Sequence, residues 1–148
     1  MKTIFDPATK EELFARIDNL TPSNERQWGK MSPAQAMEHM SRGVEMGIGD
    51  SMKQVFLGKL LSWMFRKEFL GEKPFRQNAP TGPDFVVKDE PDFESTRSRL
   101  KSVIDQFHSL GEAGTDGKAH PFFGTLTGKQ WGETQYKHVD HHLRQFGG

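Results

Sequence analysis

Three of the chain's six histidines fall within the five residues His138-Val139-Asp140-His141-His142. Residues four apart on an α-helix lie one turn apart on one face, so His138 and His142 point the same way. Two imidazoles at that spacing commonly supply two ligands to one divalent transition metal. A helical wheel at about 100° per residue places Tyr136, Val139, Leu143 and Phe146 on a core seam. It places Trp131, Gln135, His138, His142 and Gln145 on a polar-capable stripe beside that seam. His141 falls on the far side, and Asp140 also faces away from the stripe. The helix thus offers two inward imidazoles flanked by amides.

A third ligand has to come from another element. His39 lies mid-helix between Ala36 and Gly43, small residues that let another helix approach closely. It stands at the edge of its helix's uncharged arc, so a boundary histidine hydrogen-bonded to a neighbour remains open. His120, ahead of Pro121 in a loop, is the second candidate. His108, near a helix end, reads as a partner of the helix dipole rather than as a ligand.

Three neutral imidazoles suit Zn²⁺, with Ni²⁺, Fe²⁺ and Cu²⁺ also compatible. They leave at least one coordination position for water or substrate. That layout suits hydrolysis of a small molecule, or transfer to a low-molecular-weight thiol whose pKa the ion lowers. No general acid or base is assigned: Glu38 lies on the wrong side of its helix and Asp140 faces away. Gln35, Tyr136 and Gln145 are read as groups that orient ligands or substrate. The alternative is a non-catalytic helical ligand-binding or interaction module with a vestigial metal site.

The elements that must position these groups read as helices. The first begins at Asp6-Pro7, an N-cap followed by proline at the first helical position, and carries Leu13, Ile17 and Leu20. Thr21-Pro22-Ser23-Asn24 ends it. The second begins at Ser32-Pro33 with a capping box to Gln35, and ends near Gly47 and Gly49. Residues 52–70 form an apolar helical run, read as buried or dimer-facing rather than as a membrane-surface helix. Residues 71–92, with Pro74, Pro80, Pro83 and Pro91, form an irregular excursion in which Phe85-Val86-Val87 is a short extended piece. The third long helix runs from about Pro91 to Leu110, with Gly111 as the residue after its end. After a loop over 111–124, the last helix starts at the Thr127–Gln130 capping box and runs to about Phe146. Nothing alternates as a sheet would, and the expected fold is an all-α bundle.

The chain has 148 residues, the size of one domain spanning 1–148. It has no cysteine, which excludes disulfides and thiolate ligands. Lys+Arg and Asp+Glu are both 20, so the basic excess of a nucleic-acid binder is missing. No stretch has the length and apolarity of a membrane span, and the amino terminus lacks a signal-peptide pattern. A cytoplasmic location is the default expectation.

Three pieces resemble the DinB-like (YfiT-like) superfamily of metal-binding four-helix bundles. They are Trp28-Gly29-Lys30-Met31-Ser32-Pro33-Ala34-Gln35 leading into His39, the turn His120-Pro121-Phe122-Phe123-Gly124, and Tyr136 to Phe146. The resemblance spans most of the chain and is most specific in the last segment. It implies one ligand from the second helix and two, four apart, from the last, which selects His39, His138 and His142. It further implies an up-down-down-up helix order, frequent homodimers, zinc or nickel at the centre, and Gln145 in the place of a glutamine that follows the last ligand.

Overall fold

The computed structural model describes residues 1–49, 65–79 and 82–148, with only the backbone of Asp84. Each of its four longer helices begins where a side-chain oxygen precedes it. Asp6 accepts from the Thr9 amide at 2.9 Å and opens α1 (Pro7–Asp18). Ser32 and Gln35 form a reciprocal capping box at the head of α2 (Pro33–Glu45). Asp92 accepts from the Ser95 amide ahead of α3 (Phe93–Thr115). Thr127 and Gln130 repeat the capping box at α4 (Gly128–Arg144). Each such cap is worth about 1 kcal/mol, because it satisfies amides that have no partner within the helix.

The apolar stripes of the four helices meet in one core. It contains Leu13 and Ile17 from α1, Met37, Met40 and Val44 from α2, Leu100, Ile104 and Phe107 from α3, and Trp131, Val139 and Leu143 from α4. Burying each such side chain contributes roughly 1.5–3 kcal/mol. The broadest helix–helix contact is between α2 and α3, and α3 and α4 each touch all three of the others. The contact of α4 with α2 brings its inner stripe to the place where the histidines meet.

One local expectation is met and two are corrected. Gly111, expected just past the end of the third long helix, does leave helical geometry (φ 63°, ψ −173°), and α3 resumes beyond this kink to Thr115. The loop after it contains a two-residue antiparallel ribbon, β1 (Ala119–His120) paired with β2 (Gly124–Thr125). Within the excursion, Phe85 closes a 3₁₀ turn (Pro83–Phe85) rather than opening the extended piece, while Val86 is extended. Residues 65–70 are helical; residues 52–64 of the expected apolar run lie outside the described residues. Among the described residues no helix is long and apolar enough to cross a membrane.

Two lysines, unmarked in the sequence pattern, fasten the connections. Lys118 Nζ donates to the carbonyls of Gly47, Ile48 and Gly49 just past α2. Lys137 Nζ donates to those of Glu68, Phe69 and Gly71 at the end of helical residues 65–70. A cation is favoured there because the last carbonyls of a helix lack intrahelical donors and carry its negative dipole end.

Candidate metal centre

His138 and His142 project from α4 one turn apart, and His39 meets them from the middle of α2. One nitrogen from each of the three rings lies within 4.8 Å of the other two. His39 and His142 are buried, and His138 keeps intermediate exposure. The close approach depends on Gly43, one turn after His39. A Cβ at that position would lie 2.4 Å from His138 Cε1 and 2.7 Å from Nδ1. The sequence expectation that a small residue beside His39 admits another helix is met here.

The hydrogen bonds fix which nitrogen of two rings faces inward. The Phe85 carbonyl stands 3.0 Å from His39 Nδ1. A carbonyl only accepts, so Nδ1 carries the proton and Nε2 presents a bare lone pair. His142 Nδ1 stands 3.0 Å from Gln145 Oε1. The orientation of that amide is set by its Nε2, which donates to the Trp28 carbonyl at 2.7 Å. His142 Nδ1 is therefore also the donor, and its Nε2 is bare. Gly29, at φ 78°, lets the Trp28 turn pass this close, since a Cβ there would lie 2.5 Å from Gln145 Nε2.

Desolvation keeps all three rings neutral. Burial lowers the pKa of His39 and takes that of His142 to about 3. Burial, followed by the neighbouring His39 and His142, holds His138 well below the usual histidine range. Between His39 and His138 the two Nε2 atoms are 3.0 Å apart. Two lone pairs at that distance require a proton or a cation between them. Tetrahedral Zn–N bonds of 2.0–2.1 Å would set ligand nitrogens about 3.3 Å apart. Three neutral imidazoles, with two Nε2 lone pairs already fixed inward, are a donor set that suits a divalent transition metal.

The other candidates lie elsewhere. His120 is not part of the trio; its Nδ1 accepts from the amides of Phe122 and Phe123 at 3.1 and 3.3 Å, capping the ribbon turn. It is enclosed by Phe69, Phe123 and Trp131, and burial takes its pKa to about 4. His108 Nδ1 donates to the Ile4 carbonyl at 3.0 Å, tying α3 to the amino-terminal segment. His141 stays outside the trio as expected, yet it is buried, with its ring against Trp28 and Phe75. Gln145, read from the sequence as a group that orients ligands or substrate, is in hydrogen-bond contact with His142. Gln35 is occupied by its capping box and the Asp89 carbonyl, and Tyr136 packs beside Lys2. Phe85 and Trp28 were missed because they act through backbone carbonyls, which residue type does not reveal.

No carboxylate joins the three histidines among the described residues. Glu38 pairs with Arg42 and Arg99, and Asp140 with Arg16 and Arg144.

A family model for DUF1569, described as a protein of unknown function, matches residues 6–147. The chain belongs to that family. No curated protein and no solved structure matches it.

Proposed function

We propose that this member of the DUF1569 family binds one divalent transition metal, Zn²⁺ or Ni²⁺ ahead of Fe²⁺, through Nε2 of His39, His138 and His142. The observation that carries this reading is the convergence of three neutral imidazoles, two of them with Nδ1 tied to an acceptor behind them. One ligand from the second helix and two from the last is also what the DinB-like resemblance implies, and the up-down-down-up bundle belongs to the same proposal.

The reading extends to a metal-dependent reaction on a small molecule, with thiol transfer favoured over hydrolysis. A divalent ion with an open position supplies Lewis acidity, enough to activate water or a thiol near neutral pH. Hydrolysis also needs a side chain that moves a proton, and the described carboxylates nearest in sequence to the ligands, Glu38 and Asp140, are held in ion pairs. A thiol substrate brings its own nucleophile and makes less demand on the chain. A cleft of about 400 Å³, lined by Trp28, Phe75, His141 and Arg144 among others, opens one imidazole away from His142. That is within the range of small-molecule sites.

The test is a screen of electrophiles against Zn²⁺- and Ni²⁺-loaded protein, with and without a low-molecular-weight thiol. Thiol-dependent turnover that is lost in His142→Ala is expected. Metal-dependent turnover with water alone would overturn the preference for transfer. Turnover unaffected by His142→Ala would overturn the role of the centre.

A further inference from the structure

A neutral imidazole that gives Nε2 to a metal keeps its proton on Nδ1, and that N–H needs an acceptor. His39 has the Phe85 carbonyl and His142 has Gln145 Oε1. His138 Nδ1 has none among the described residues, and its Nδ1–Cε1 edge lies against Gly43. The carbonyl of that same glycine accepts from Gln135 Nε2 at 3.0 Å. This contact fixes which end of the Gln135 amide is oxygen. Gln135 is 3% exposed, and its Oε1 is buried with no hydrogen-bond partner. Gln135 precedes His138 by three residues, so the two side chains are neighbours on the helix surface.

The proton positions explain why these two groups are not bonded to each other. His39 Nε2 is bare, so the 3.0 Å contact is made by a proton on His138 Nε2. In that tautomer His138 Nδ1 is an acceptor and cannot pair with an amide oxygen. Ligation through Nε2 removes that proton, and the neutral ring then carries one on Nδ1, with no net proton gained or lost.

We propose that Gln135 is the positioning residue for His138: in the metal-loaded protein its Oε1 accepts a hydrogen bond from His138 Nδ1–H, as Gln145 Oε1 does from His142. This rests on the three-histidine reading above. Metal binding then switches the tautomer of His138 alone, because His39 and His142 already carry the proton on Nδ1.

The experiment is nitrogen-15 NMR of histidine-labelled protein, metal-free and Zn²⁺-loaded, for the natural chain and Gln135→Leu, with Zn²⁺ affinity measured by competition with a chelator. In the natural chain, Zn²⁺ should move the proton of His138 from Nε2 to Nδ1 and give an exchange-protected Nδ1–H. In Gln135→Leu that signal should lose protection and affinity should fall about 10–100-fold, while metal-free thermal stability, read in parallel, stays within a few degrees or rises. Zn²⁺ binding that Gln135→Leu leaves within twofold, or an unaltered His138 Nδ1–H signal, would overturn the assignment alone. Absence of Zn²⁺ binding by the natural chain would overturn the metal reading and this assignment with it.

Discussion

His120→Asn isolates how strongly the core resists protonation. In the folded chain His120 Nδ1 accepts two backbone amides, the ring is 2% exposed, and its pKa is about 4. An unfolded histidine titrates near 6.5. Below that pH the unfolded chain takes up a proton that the folded chain refuses, so stability falls as pH drops, by about 1.4 kcal/mol per unit. The loss from this residue reaches about 2 kcal/mol at pH 5 and levels off below pH 4. Asparagine offers Oδ1 to the same two amides and does not titrate. Urea unfolding of metal-stripped protein at pH 7, 6 and 5 separates the effects. His120→Asn shifts stability by some constant amount, and the loss between pH 7 and pH 5 should be about 2 kcal/mol smaller than in the natural chain. Parallel pH curves for the two proteins would refute the reasoning.

Other perturbations follow from the same geometry. At Zn²⁺ a hundredfold above its dissociation constant, the natural chain should gain about 2.7 kcal/mol of stability. His142→Ala should abolish that gain and His141→Ala should keep it, as read by thermal unfolding with and without metal. Gly43→Ala drives a methyl into His138 and should cost about 1–3 kcal/mol or more, with weakened Zn²⁺ affinity by chelator competition. Lys137→Met leaves the carbonyls of Glu68, Phe69 and Gly71 without their donor. It should cost about 1.5–3 kcal/mol and speed limited proteolysis within residues 65–79.

Helix starts were legible in the sequence because each is a local event: Asp6, Ser32 and Thr127 bond amides two or three residues on. The pairing of His138 with His142 was legible for the same reason, being fixed by helix pitch. His39 was not decided by its wheel position, since its burial depends on α4 crossing at Gly43, a contact between residues far apart in the chain. His141 was placed on the far side of the helix, and it does point away from the trio. That side is mostly buried nonetheless, because Trp28 and Phe75 pack against the ring where it lines the cleft. The ribbon of β1 and β2 is two residues long on each side, too short to show alternation. Lys118 and Lys137 resemble any surface lysine in the sequence; their carbonyl partners lie some 70 residues away.

The central claim is that three Nε2 atoms form one metal site. X-ray absorption on untagged protein, stripped with chelator and reloaded with one equivalent of Zn²⁺, tests it most directly. The expected result is one tightly held ion per chain with three imidazole nitrogens at about 2.0–2.1 Å, falling to two imidazoles or to no retained ion in His39→Ala. Retention of less than about a tenth of an equivalent, or a nitrogen shell unchanged in His39→Ala, would contradict it.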